Sequence, residues 1–106
     1  MTREEHLHTI AAEECAELAQ RFSKANRFGD HEIQPGQELS NRQRILYEFA
    51  DLVGVMEMLG FFPFGLRTGP NDALRPEIDA KKAKVEKFLA YSAECGTLRA
   101  EGEGDK

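Results

Sequence analysis

Residues 3–27 read REEHLHTIAAEECAELAQRFSKANR, and this stretch indicates the fold. Its apolar residues recur at helical intervals, and neither proline nor glycine interrupts them. They are Leu7, Ile10, Ala11, Leu18, Phe22 and Ala25. This spacing is typical of a helix with one apolar stripe. We therefore predict a long amphipathic helix from Arg3 to about Arg27, which Gly29 and Asp30 end.

Two later stretches show the same period. The second helix is expected to begin after a cap at Ser40 or Asn41 and to stop at Gly60. The third is expected from Pro76, whose fixed φ suits a first helical turn, to about Glu94. The sequence therefore predicts an all-α fold with three main helices per chain, arranged as a helical bundle.

The segments outside the helices set the domain organisation. Residues 30–39 read as a surface loop, and residues 61–65, FFPFG, as a packed corner whose aromatics need a hydrophobic partner in the core or another subunit. We expect one domain at 1–98 and a disordered acidic tail at 99–106. A chain of 106 residues without tryptophan has a thin core, so we expect oligomerisation to complete the bundle.

Charge and composition exclude several classes of partner. The net charge of −5 and the absence of a basic stripe argue against nucleic-acid binding. No apolar run approaches the ~20 residues of a membrane span, so we expect no membrane partner. Cys15 and Cys95 lack a C-x-x-C spacing, and we find no signal peptide, so we expect a reduced, cytoplasmic protein.

Four carboxylates interrupt the apolar stripes of the first two helices. Glu14 lies inside the first stripe, and Glu17 lies about 60° to one side of it. Glu48 lies inside the second stripe, with Asp51 beside it. Burying unpaired carboxylates costs several kcal/mol, so acids on two inner faces imply a cation between them. Carboxylates at this spacing on facing helices suit a hard divalent ion, and we predict a Mg²⁺ site formed by these four residues.

Two interpretations without a metal stay open. Acidic pairs three residues apart are common on solvated helix faces, although a solvated face would place them opposite the apolar stripe. Alternatively, the acids form structural ion pairs with nearby arginines. The candidates are Arg21, Arg42 and Arg44.

Other metals fit the sequence less well. A carboxylate-bridged di-iron site requires Glu-x-x-His on two helices, and only Glu5 and His8 match, at the N-terminus. A zinc site would draw on His6, His8 and Cys15, which lie on different helix faces. Histidines close to a terminus are usually just exposed.

The acidic motifs resemble those of a known family. EECAE at 13–17 followed by EFAD at 48–51 is similar to the E-E-x-x-E and E-x-x-D signature of the MazG-like branch of the all-alpha NTP pyrophosphatase superfamily, which also contains the dimeric dUTPases. Residues 23–29 and the lysine-rich third helix also look like its short, often phage-encoded members. The resemblance covers most of residues 5–98. The 30 residues between Glu17 and Glu48 exceed the spacing of the shortest relatives, a departure that concerns the loop and leaves the acids unaffected.

The resemblance implies an activity. It implies hydrolysis of a nucleoside or deoxynucleoside triphosphate to the monophosphate and pyrophosphate, with Mg²⁺ or Mn²⁺, and some short relatives act on purine deoxynucleotides such as dGTP. It also implies a homodimer or homotetramer that controls nucleotide pools in a bacterial cell or a phage-infected host. The alternative is a non-catalytic helical interaction module, which predicts no metal dependence.

The chemistry assigns further roles. We expect Glu13 or Glu17 to act as the general base. Departing pyrophosphate requires cations, and the candidates are Arg21, Lys24 and Arg27 on the first helix and Lys81 and Lys84 on the third. A solvated basic face is the alternative for the two lysines of the third helix. Candidates for base recognition are Asn26, Phe28 and the corner at 61–64.

Overall fold

The computed structural model describes residues 1–69 and 72–99 and contains three helices. They are α1 (Arg3–Phe28), α2 (Asn41–Met58) and α3 (Arg75–Glu94). The described residues form no sheet, and their one isolated β-bridge joins Thr2 to Arg99. The prediction of an all-α fold with three helices is confirmed, and the bounds agree with the predicted ones within about two residues.

Local side-chain chemistry explains where the helices begin and end. Thr2 caps α1 in a capping box with Glu5, and Ser40 caps α2 in a second capping box with Gln43. Of the two predicted caps for α2, Ser40 is therefore the one that acts. Gly29 ends α1 with a φ of 103°, a conformation that glycine adopts without steric cost.

Asn41, the first residue of α2, organises the loop before it. The side chain is buried, and its amide nitrogen donates to the carbonyl of Gly29 at 2.8 Å and to a carboxylate oxygen of Glu32 at 3.2 Å. Its backbone N–H donates to the carbonyl of Glu32 at 2.9 Å. The loop at 30–39 is therefore tied to the start of α2, which fixes how α1 leads into α2.

The core lies where the three helices meet. One buried cluster combines residues of α1, α2 and α3, namely Leu7, Ile10, Val55, Val85 and Leu89. The N-terminal half of α1 thus packs against the C-terminal halves of α2 and α3, so both run antiparallel to α1. A second cluster joins α2 to α3 through Ala50, Val53 and Ile78.

Gly54 allows a close approach of α2 to α3. A β-carbon at this position would lie 3.0 Å from the carbonyl oxygen of Ile78 and 3.3 Å from Cβ of Lys81. A larger residue would therefore push the two helices apart. The close approach holds the backbone of Lys81 next to the face of α2 that carries Glu48 and Asp51.

The corner after α2 is held by polar contacts. Glu57 accepts hydrogen bonds from the backbone N–H of Leu66 at 3.0 Å and from Arg75, and also pairs with Lys82. The aromatic side chains differ from the prediction of a packed corner, because Phe61, Phe62 and Phe64 are exposed. Of the two predicted partners for these rings, the core of the chain is thus excluded.

The two ends of the described chain meet. The amino group of Met1 donates to the carbonyl of Thr97 at 2.8 Å, and the N–H of Arg99 donates to the carbonyl of Met1 at 2.6 Å. Residues 100–106, which make up most of the predicted tail, lie outside the described residues. Within the described part, none of the helices combines the length and apolar character that a membrane span requires.

Candidate metal centre

Three of the four predicted metal ligands come together where α1 faces α2. One oxygen each of Glu14, Glu17 and Glu48 lies within 4.8 Å of the others. Glu14 is buried at 6% exposure, Glu48 is half-buried and Glu17 is exposed. The interruption of two apolar stripes therefore predicted a real convergence of acids, with Glu14 at its inner end and Glu17 at its mouth.

Two cations contact this acidic group. Nζ of Lys81 donates to Oε1 of Glu14 at 2.7 Å, and Nε of Arg21 donates to Oε1 of Glu48 at 3.4 Å. Of the three arginines considered as structural partners, Arg21 alone takes this role, because Arg42 contacts Asp30 and Arg44 contacts Gln34. The arginine ion-pair interpretation thus holds for one oxygen of Glu48, whereas Glu14 pairs with a lysine of α3 that this interpretation did not include.

The second oxygens of these two acids test whether the site fits a metal. Oε2 of Glu14 and Oε2 of Glu48 are buried and accept no hydrogen bond from any described residue. Such oxygens cost free energy unless a partner satisfies them. Together with Glu17 they form an all-oxygen donor set, which suits Mg²⁺ or Mn²⁺. The residues present therefore fit a hard divalent cation.

Asp51, the fourth predicted ligand, is placed differently. It is not one of the three residues within 4.8 Å, and it faces Glu77 in the first turn of α3. Burial, followed by a hydrogen bond with Glu77, raises the pKa of Asp51 to about 7. Glu77 is an acid near the site that the sequence analysis missed, and it extends the acidic surface from α1 and α2 to α3.

The neighbouring acids also affect the pKa of Glu48. Burial, together with the negative charges of Glu17 and Glu14, raises the pKa of Glu48. Burial opposes the charge of Lys81, but the hydrogen bond to Glu14 and the nearby carboxylates outweigh it and raise its pKa. The group therefore combines one carboxylate that resists ionisation, Glu48, with a lysine that keeps its charge.

These shifts predict an unusual dependence of stability on pH. Because the pKa of Asp51 is raised from 3.8 to about 7, the folded protein binds more protons than the unfolded chain between these values. In EDTA, protonation of Asp51 should therefore increase the free energy of unfolding as the pH falls from 8 to 6. Urea denaturation measures this increase. Asp51→Asn should flatten the profile, and a wild-type profile that rises with pH over this range would contradict the assignment.

The predicted phosphate ligands are distributed around the acidic group. Lys81 contacts Glu14, whereas Lys84 and Glu13 line a cavity of about 180 Å³ between α1 and α3. On α1, Arg21 contacts Glu48 and is followed by the half-buried Lys24. Arg27, the last candidate, stacks over the ring of Phe28 at 5.8 Å. Lys81 and Arg21 are thus within the site, and Lys84 is at its edge.

The residues considered for zinc and di-iron do not join a metal-binding group. His6 is buried rather than exposed, with Nε2 3.0 Å from the carbonyl oxygen of Thr97. His8 and Cys15 are exposed. Among the described residues, the group that could hold a metal consists of glutamates alone.

A cavity of about 470 Å³ lies between the end of α1 and the start of α2. Its wall includes Phe22, Ala25, Asn26 and Ile45. Phe22 follows Arg21 in the sequence, and Ile45 lies about one helical turn before Glu48. Of the candidates for base recognition, Asn26 lines this cavity. The corner lines another cavity, of about 460 Å³, together with Glu57 and Arg75.

The chain was also compared with known proteins. No protein-family model, curated protein or solved structure matches it. The resemblance to the MazG-like family therefore rests on the motifs at 13–17 and 48–51. A function has to be argued from these residues and from the geometry of the acidic group.

Proposed function

We propose that the protein is a Mg²⁺-dependent nucleoside triphosphate pyrophosphohydrolase. The observation that carries the proposal is the convergence of Glu14, Glu17 and Glu48 within 4.8 Å, with one buried oxygen on each of Glu14 and Glu48 that no described residue satisfies. Lys81 and Arg21 each satisfy one oxygen of these acids, and a buried carboxylate oxygen that has no partner costs free energy. The order of the motifs that supply these acids also resembles the MazG-like pattern.

The three glutamates would hold Mg²⁺ or Mn²⁺, with Asp51 as an additional ligand once it is ionised. The metal would neutralise the triphosphate and lower the pKa of a bound water that attacks the α-phosphorus. We assign the proton from that water to Glu17 or Glu13, which are exposed and lie on the same helix as Glu14.

The surroundings of the acidic group suggest how a nucleotide is oriented. The cavity at Phe22 and Asn26 is mainly apolar, with a few polar groups, as is typical of sites for flat organic ligands. Lys81 and Lys84 line a separate cavity between α1 and α3 and supply positive charge there. We place the nucleoside in the first region and the departing pyrophosphate near the lysines.

We also propose that the chain works as a homodimer or homotetramer. Several large apolar side chains are exposed in the single chain, among them Phe22, Phe28, Leu46, Phe61 and Phe64. Exposed apolar surface of this kind is typical of protein interfaces. Light scattering coupled to size-exclusion chromatography should give the mass of a dimer or tetramer, and a monomer at micromolar concentration would count against this part of the proposal.

Pyrophosphate release tests the activity. A panel of ribonucleoside and deoxyribonucleoside triphosphates should be incubated with the protein in Mg²⁺, in Mn²⁺ and in EDTA. We expect equal amounts of monophosphate and pyrophosphate from at least one nucleotide, with either metal and not in EDTA. The absence of turnover on the whole panel would favour the non-catalytic interaction module.

A further inference from the structure

Lys81 spans the space between α3 and α1 to reach the most buried acid of the candidate metal centre. Its Nζ lies 2.7 Å from Oε1 of Glu14, and the side chains of the two residues are only 14% and 7% exposed. The close packing at Gly54 holds the backbone from which Lys81 extends. The fold therefore positions the backbone of Lys81 so that its ammonium group is directed into the acidic group.

A divalent ion would compete with this contact. Oε2 of Glu14, the oxygen that accepts no hydrogen bond from the described residues, belongs to the same carboxylate whose Oε1 binds Lys81. An ion bound by Glu14 and Glu48 would lie a few ångströms from the ammonium group. Like charges at that distance repel strongly in a partly buried site. Glu14 therefore cannot hold both cations without loss.

The cavity between α1 and α3 has room for the ammonium group of Lys81 away from this contact. Lys81 lines this cavity together with Lys84 and Glu13, and its stem has four rotatable carbons. A triphosphate bound there would offer oxygens to the ammonium group, whereas the metal would take over Glu14. Each cation would then have its own anionic partner.

We propose that Lys81 is an internal counter-ion of Glu14 that is displaced by the metal and passes to the phosphates of the substrate. The inference rests on the proposed metal centre and on a triphosphate substrate. It makes metal and triphosphate binding mutually dependent, because each is stronger when the other has removed the competition for Glu14. The protein alone would bind metal weakly and would take it up together with the nucleotide.

Mn²⁺ binding to the full chain tests the competition. Titration followed by the electron paramagnetic resonance of free Mn²⁺ should show that Lys81→Met binds roughly tenfold more tightly than wild type. Lys81→Arg, which keeps the charge, should stay close to wild type. Lys82→Met is the matched control, because it removes the same charge at the neighbouring position, where Lys82 pairs with Glu57 and not with Glu14. The Mn²⁺ affinity of this variant should stay within about twofold of wild type.

Lysine acetylation tests the displacement in the unmodified sequence. With N-hydroxysuccinimidyl acetate and mass spectrometry, Lys81 should react slowly in EDTA, faster in saturating Mn²⁺, and slowly again when a non-hydrolysable α,β-imido triphosphate is added with Mn²⁺. Equal reactivity in all three conditions would overturn the proposal. This measurement uses the wild-type protein, so it tests the displacement of Lys81 even if Lys81→Met does not fold.

The outcomes separate this inference from the proposed function. If the wild type binds Mn²⁺ and releases pyrophosphate while Lys81→Met binds Mn²⁺ no more tightly, the role of Lys81 is wrong and the metal centre stands. If neither protein binds Mn²⁺ at millimolar concentration, the proposed metal centre is wrong, and the role of Lys81 is wrong with it.

Discussion

Replacing Glu48 with glutamine should lower the rate of pyrophosphate release at least ~1000-fold, because a metal ligand supplies several kcal/mol of transition-state stabilisation. Glu48 is the acid that α2 contributes to the group of three, so its loss leaves only the two glutamates of α1 in that group. Glutamine keeps the shape of the side chain and one acceptor oxygen. Steady-state assays in Mg²⁺ and a Mn²⁺ titration should both show the defect.

The fold of this variant should survive. Because burial and two neighbouring acids raise the pKa of Glu48, a neutral side chain removes an unfavourable charge, at the cost of the 3.4 Å pair with Arg21. Thermal stability in EDTA at pH 8 should therefore be unchanged or higher. Glu94→Gln, at the exposed end of α3, is the matched control and should keep full activity. A Glu48→Gln protein with activity near wild type would contradict the site.

Replacing Glu57 with glutamine should lower the free energy of unfolding by about 3 kcal/mol, the largest stability effect that we expect from a polar residue. Its side chain is 5% exposed and forms two short hydrogen bonds with Arg75, at 2.7 and 2.8 Å, as well as contacts with Lys82 and Leu66. Neutralising it leaves Arg75 and Lys82, whose side chains are only partly exposed, without their shared carboxylate and frees the corner after α2. Urea denaturation at pH 7 measures the loss.

The pH dependence of this contribution has the opposite sign to that of Asp51. Chiefly through the hydrogen bonds from Arg75, the pKa of Glu57 falls from 4.5 to about 2. Its contribution is therefore complete above about pH 4.5 and is lost as the pH falls towards 2. Asp79→Asn is the control, because Asp79 also contacts Arg75 but is 58% exposed, and it should cost less than ~0.5 kcal/mol. Equal losses in the two variants would contradict the account.

The helices were predictable because several kinds of signal in the sequence agree. The apolar period, the caps Thr2 and Ser40 and the terminal glycines all indicate the same bounds. The corner was less predictable. A run such as FFPFG normally indicates burial, and the polar network around Glu57 that holds the backbone there depends on contacts between residues far apart in the sequence.

The acidic group was predictable for a different reason, since Glu14 and Glu48 contradict the apolar stripes in which they lie. Glu77 had no such signal, because it precedes Lys81 by four residues and reads as an ordinary surface pair on a helix. The contact between Lys81 and Glu14 was also hidden, since it depends on how closely α3 approaches α2 at Gly54. A one-dimensional pattern does not contain that distance.

In the function proposed for this protein, acids from two helices direct a metal-dependent attack on the α-phosphorus of a nucleoside triphosphate. Hydrolysis in ¹⁸O-labelled water, with the products separated and analysed by mass spectrometry, tests it most directly. We predict that Mg²⁺-dependent hydrolysis forms monophosphate that carries the label and pyrophosphate that does not. Glu48→Gln should form neither product. Formation of diphosphate and inorganic phosphate, label in the pyrophosphate, or unchanged turnover in EDTA would contradict the proposed function.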